Sequence, residues 1–300
     1  MEKTSASSPE RHTQGASEWV TTSDGRRLHA MVLPGPGDPG MPTVVFEAGG
    51  AASRSMWALV QSQVGEWARA IVYDRSGLGR SAPDPSSRTL ARMAGDLGEV
   101  LDHFGAGPYV LVGHSAGGPI ARAATAANPD RIAGLVLVDP TEEGLDALFT
   151  PSFRKMERAN HALGVAAARL RVLRPFFRSI ITPLPPDARE DMRREGFTAQ
   201  AMKTFADQGR TFLDELAVYR ETPPNLGDLP VTVISAGRAG NGMNRKLRTT
   251  LNDLHARQAA RSPRGHHVVA EQSDHYVLLR EPDLVAEEIH SQIERFADGV

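Results

Sequence analysis

The sequence predicts an α/β fold, a doubly wound and mostly parallel sheet with an inserted all-helical cap, and three observations carry that prediction. Short apolar runs alternate with helix-patterned stretches along most of the chain. The runs, among them "TVVF", "AIVY", "YVLV" and "LVLV", are continuous rather than alternating, as strands covered on both faces must be. Between Thr141 and Gly227 the rhythm stops, and every patterned segment there has helical spacing.

Taken in order, residues 1–16 are polar and read as a flexible tail. "EWVTTSDGRRLHAMVL" reads as two strands joined at Asp24-Gly25, because Asp-Gly suits the left-handed conformations of a tight hairpin turn. "PGPGDPGM" is a loop, and "PTVVFEAGG" is a strand running into glycines. "SRSMWALVQSQVGEW" has helical spacing at Met56, Leu59, Val60 and Val64. "ARAIVYDRSG" is a strand entering a loop, and "RTLARMAGDLGEVLDHFG" is a helix stopped by glycine. A strand from Pro108, a helix to about Asn128 and the strand "AGLVLVDP" complete a first core segment, 17–140. The cap, 141–227, holds helical patterns punctuated by Pro185-Pro186 and Pro223-Pro224. A second core segment, 228–300, contributes the strand "LPVTVISAG", a helix over "NRKLRTTLNDLHARQAA", the strand "HHVVAEQ" and a last helix "PDLVAEEIHSQIERF". An insert so placed would cover the carboxyl edge of the sheet, where α/β folds bind ligands.

Composition narrows the function classes. With 40% hydrophobic residues and a net charge of −2, the 300-residue chain has no basic excess for binding nucleic acid. No apolar run approaches the roughly 18 residues of a membrane span, and the polar start lacks the apolar core of an export signal, so a cytoplasmic location is expected. The absence of cysteine excludes disulfides, thiolate metal sites and a cysteine nucleophile. No His, Asp or Glu spacing suggests a metal, and neither metal nor cofactor is expected.

The stretch "YVLVGHSAGGPIARAA" carries the chemistry. Gly-x-Ser-x-Gly alone arises by chance in roughly one chain in ten of this length, given glycine near 7% of typical sequence. Here it sits between a strand and a helix, where a sharp turn strains the serine and leaves no room for side chains two residues away. Gly113 and Gly117 fill those two places, and Ala116 and Gly118 keep the helix start slim. The helix after Ser115 also points its free N–H groups at the site. His114 is adjacent to Ser115 and points the wrong way for a base, so it packs inside or faces solvent.

These residues resemble the α/β-hydrolase fold superfamily, in its cap-bearing branch. "FEAGG", "YDRSGLGRS", "GHSAGG" and "SDHYVLLREPDLV" carry the likeness in this order, from Glu18 to the end of the chain except the generic cap. The resemblance implies a serine esterase or lactonase, with Ser115 as nucleophile and His275 as general base. His275 follows the last predicted strand and so falls on the elbow's edge of the sheet, whereas His266 and His267 begin that strand on the opposite edge. The implied oxyanion hole consists of the Ala116 and Gly50 N–H groups, Gly50 standing in Ala48-Gly49-Gly50 where the superfamily commonly has His-Gly-x.

The acid departs from the usual pattern. Most members place an Asp after the strand that follows the cap, but here Gly240 and Asn241 stand there, and no carboxylate occurs between Val231 and Leu251. Asp139, ending "LVLVDP", is the candidate, because some members take the acid from that strand; Glu142 and Glu143 are second choices, and Asp274 diverges from its neighbour His275. Serine at the elbow argues against dehalogenase and epoxide hydrolase chemistry, which use aspartate there. Ester or lactone hydrolysis fits best. Thioester, amide or carbon–carbon cleavage, acyl transfer, and a non-catalytic small-molecule pocket remain open. Phe149, Phe153, Leu163, Val172, Leu173, Phe176, Phe177, Ile180 and Ile181 either line an apolar pocket or pack the cap, and the arginines from Arg169 to Arg178 read as a solvated face or a grip for a substrate carboxylate.

Overall fold

Eight strands form one sheet in the order β1-β2-β4-β3-β5-β6-β7-β8. They are β1 Ala16–Thr21, β2 Arg27–Leu33, β3 Thr43–Glu47, β4 Ala70–Tyr73, β5 Tyr109–His114, β6 Ile132–Val138, β7 Val231–Ala236 and β8 Gly265–Ala270. A computed structural model of the chain describes residues 12–37, 40–240 and 242–299. β1 and β2 form the hairpin expected at Asp24-Gly25, and β2 joins β4 antiparallel; the other pairings are parallel. Most of the first expected tail residues, 1–11, lie outside the described residues. Residues 12–15, which the same reading placed in that tail, are instead docked. Gln14 is fully buried, and its side-chain Nε2 donates to the Arg54 carbonyl at 3.1 Å and to Gln61 Oε1 at 2.9 Å, which offsets part of the desolvation cost of enclosing it.

Alternation within the buried strands divides the core. Val110 and Val112 point to one face, with Trp57, Val60, Val285 and Ile289, while Tyr109 and Leu111 point to the other, with Leu97, Leu101, Ile120 and Ala124. The first face is covered by α1 Ala58–Val64, α10 Val277–Arg280 and α11 Pro282–Ala297, the second by α2 Leu90–Phe104 and α3 Gly117–Ala127, and α9 Arg245–Ala259 packs on β7 and β8.

The insert after β6 is helical throughout: α4 Pro151–Arg169, α5 Arg178–Ile181, α6 Pro186–Glu195, α7 Ala199–Gln208 and α8 Phe212–Val218. Its two ends are tied together, with Arg220 donating to the Glu143 carbonyl at 2.7 Å and pairing with Asp146 at 3.0 Å. A second clamp holds α6 to the core: buried Arg54 pairs with Asp74 at 2.6 Å and with Asp191 and Glu195 of α6 at 2.5 and 2.6 Å. Buried cations are tolerated only with such pairing. Among the described residues no helix is long and apolar enough to cross a membrane.

Candidate active site

Ser115 follows β5 directly, with φ 55°, a left-handed backbone that costs a non-glycine residue about 1–3 kcal/mol and persists only where the surroundings enforce it. The enforcement is visible. The Ser115 N–H donates to the Val138 carbonyl at 3.1 Å, and its carbonyl accepts from Gly118 and Thr141, both at 3.0 Å. A Cβ on Gly113 would stand 2.7 Å from the Gly117 carbonyl oxygen, and one on Gly117 would stand 2.6 Å from the carbonyl oxygens of Glu47 and Ala48. The two glycines thus serve different contacts, one closing the turn on itself and the other letting it press against the end of β3.

His275 Nε2 lies 2.9 Å from Ser115 Oγ, and His275 Nδ1 lies 2.6 Å from Asp139 Oδ2. Asp139 follows β6 directly, is 1% exposed and also has a left-handed φ, 41°. Its Oδ1 accepts from the Ala236 N–H at 3.1 Å, and Arg248 of α9 forks onto both oxygens at 2.5 and 3.1 Å. Burial pushes the Asp139 carboxyl up, but the hydrogen bond to His275 and the charges of His275, His255 and Arg248 outweigh it and hold the carboxyl far below the ordinary carboxylate range. Arg248 had no place in the sequence reading. The only signal was its position in the helix that begins just past Gly240 and Asn241, where the usual acid is missing; Asn241 itself lies outside the described residues.

The structure does not bring the alternative acids to the imidazole. Glu143 is spent on Arg122, at 2.7 and 2.9 Å, and on Arg261, at 3.0 Å. Burial and the Glu143 charge push the neighbouring Glu142 up to about 8. Asp274 accepts from the Tyr276 N–H at 3.1 Å. His114 is buried, so of its two expected places the interior one holds. Its Nε2 lies 2.9 Å from the His275 carbonyl, which can only accept, so that nitrogen carries the proton. Burial, reinforced by the His275 charge, pushes His114 down to about 3 and keeps it neutral. At the sheet's far edge, His267 Nε2 lies 2.8 Å from Ser235 Oγ and His266 Nε2 lies 3.6 Å from Glu288.

The loop after β3 is organised by a buried pair that the motif readings did not single out. Arg75 is neutralised by Glu47, itself bonded by Tyr73, and donates to the carbonyls of Ala48, Gly49 and Gly50, the last two at 2.5 and 2.7 Å. In a planar trans peptide the N–H points opposite to the C=O, so a Gly49 carbonyl turned toward Arg75 turns the Gly50 N–H away from it. Gly50 and Ala116 both line the cavity beside Ser115, and neither N–H meets a backbone acceptor among the described residues. A side chain at Gly50 would strike the Phe205 ring of α7.

That cavity measures about 410 Å³ between sheet and cap. Of the cap residues singled out from sequence, Phe153, Phe177 and Ile180 line it, whereas Leu163, Val172 and Phe176 are 67%, 47% and 79% exposed. Met192, Phe197, Met202, Phe205 and Phe212 also line it and were not anticipated. No arginine lines it among the described residues, so of the two readings of Arg169 to Arg178 the carboxylate grip finds no support in the described wall.

The chain belongs to the alpha/beta hydrolase family, whose model matches residues 44–288. It is similar to a proposed carbamate hydrolase, RutD, of Klebsiella pneumoniae, 32% identical over 130 residues that cover 43% of this chain and 48% of that protein. It is also similar to epoxide hydrolase B of Mycobacterium tuberculosis, 28% identical over 218 residues, 71% of this chain and 60% of that one. The chain thus spans about half the length of the curated relatives it matches. Among solved structures, an esterase of Thermogutta terrifontis superposes with a TM-score of 0.68 at 21% identity, covering 94% of this chain and 99% of that one.

Proposed function

We propose that this protein is a serine hydrolase that cleaves a carboxylic ester or lactone of a small, largely apolar substrate through an acyl-enzyme on Ser115. The observation that carries the reading is the unbroken line from Ser115 Oγ through His275 to Asp139, at 2.9 and 2.6 Å. A serine hydroxyl attacks only as its proton leaves, and His275 Nε2 is placed to take it. Oγ then bonds to the carbonyl carbon, and the new oxyanion lies toward the Gly50 and Ala116 N–H groups. His275 returns the proton to the leaving oxygen as the C–O bond breaks. Water repeats the sequence to release the acid. Asp139 holds the imidazole in the tautomer with Nδ1 protonated and stabilises its charged form. Left-handed backbone at both Ser115 and Asp139 supports the reading, since strain of this kind concentrates at working sites.

Serine at the elbow argues against epoxide opening through an aspartyl ester. The RutD likeness favours carbamates as a second substrate class, because the same attack and the same oxyanion serve a carbamate carbonyl. A panel of p-nitrophenyl esters of graded acyl length, γ- and δ-lactones and aryl carbamates tests the reading. Turnover of an ester or lactone is expected, reduced about 10⁵-fold or more in Ser115→Ala. No turnover anywhere in the panel, or turnover that survives Ser115→Ala, contradicts it.

A further inference from the structure

The two halves of the cavity differ in chemistry. Met56, Phe177, Ile180, Met192 and Phe197 line one half and pack with the face of Val110 and Val112, and none of them is charged. Phe153 and Phe212 line the other half and pack with the face of Leu111, and Glu157 and Gln208 lie one helical turn beyond Phe153 and Phe205 on α4 and α7. Glu157 is the only acidic side chain lining the cavity among the described residues, and no lysine or arginine joins it. At that spacing it shares a face of α4 with Phe153. Of its neighbouring arginines, Arg154 is engaged with Asp214 at 2.8 Å and Arg158 is exposed. His161, a turn further along α4, stacks edge-on to Phe205 and has its pKa lowered by burial.

Half-buried and without a hydrogen bond among the described residues, the Glu157 carboxyl is pushed upward by burial, against the pull of the two arginines. Gln208 is 5% exposed and lines the cavity, and its side-chain amide has no hydrogen-bond partner among the described residues. Unsatisfied polar groups at a cavity wall call for an explanation, and a ligand group is the simplest one.

We infer that this half of the cavity receives the protonated amine of an ester or lactone substrate, with Glu157 and Gln208 as its acceptors and an apolar group in the other half. The inference rests on the serine-hydrolase reading for the reaction, but its binding half stands apart from it. Two acceptors, one anionic, demand a donor-rich group, and the phenyl faces around them attract a cation through their ring quadrupoles. A carboxylate there would meet like charge. An alkyl chain would strip water from Glu157 and return nothing.

Calorimetric titration of hexylammonium and of hexan-1-ol into the full-length protein and into Glu157→Gln, at pH 7.5, tests this. The wild-type protein is expected to bind the ammonium ion about tenfold or more tighter than the alcohol, and Glu157→Gln to lose that preference with its melting temperature retained. An uncharged apolar pocket gives the opposite order, because an ammonium ion costs more to desolvate than a hydroxyl. Alcohol binding as tight as ammonium in the wild-type protein, or a preference that survives Glu157→Gln, overturns the inference, and the wild-type comparison decides even where the variant is unstable. Turnover across the ester, lactone and carbamate panel is read in parallel. Ammonium preference without hydrolysis upholds the amine site and refutes the ester chemistry, whereas hydrolysis without ammonium preference does the reverse.

Discussion

At the sheet rim, Ser115, Asp139 and His275 each stand in the turn or loop that leaves a strand, whereas the lid meets the cavity through side chains of five helices that share no motif. The rim is specified by backbone: parallel strands put all their carboxyl ends on one side, so residues 160 positions apart converge without any signal between them. The lid is specified by packing, and packing does not announce which apolar residue meets a neighbour and which meets a void. Chemistry is therefore far better determined here than specificity.

The contrast breaks if the rim tolerates what the lid tolerates. Asp139→Asn is expected to lower kcat about 10⁴-fold, because the amide no longer selects the imidazole tautomer that the serine needs. Glu142→Gln should be mild in the same assay, and equal small losses from both would move the acid elsewhere. Next in size is Arg248→Met. Losing a charge-assisted fork worth about 1.5–3 kcal/mol predicts a roughly 10- to 100-fold loss in kcat. The Asp139 carboxylate also regains basicity without that cation, so the acid limb of the kcat/KM profile should move to higher pH. The other titratable groups facing this pair are His255, from α9, and His114, from β5, both pushed down by burial and neutral near pH 7. A kcat loss with the limb unmoved would reduce Arg248 to a packing residue.

The smallest effect falls on stability, at the joint where the lid leaves the rim. Folding raises Glu142 from 4.5 to about 8, through burial and then through the charge of Glu143. The folded state therefore keeps a proton that the unfolded chain has already released between those values, and stability from this group is full below pH 4.5 and lost as pH rises through about 8. Glu142→Gln should raise the melting temperature by several degrees at pH 8.5 and change it little at pH 5. A pH-independent shift would show that Glu142 is ionised in the folded protein.

Much of the rim was legible because its signals are short-range. Two glycines around a serine, a strand before and a helix after demand one local geometry, and the empty place at Gly240 directed attention to Asp139. Arg248 was not legible, since in a helix pattern an arginine reads as surface and only the tertiary fold turns it inward. Gln14 was misread for a related reason: a polar residue in a polar stretch looks solvated until the fold brings Gln61 and the Arg54 carbonyl to its side-chain N–H groups. In the cap, the helices were legible from periodicity, but Phe197, Phe205 and Phe212 were indistinguishable from residues that merely pack.

The central claim is that Ser115 is activated through His275 by Asp139, and fluorophosphonate labelling followed by peptide mass spectrometry tests it most directly. The expected result is one adduct, on the peptide containing Ser115, forming at least about 10³-fold more slowly in His275→Ala and Asp139→Asn. An adduct on another residue, or an undiminished labelling rate in Asp139→Asn, would contradict it.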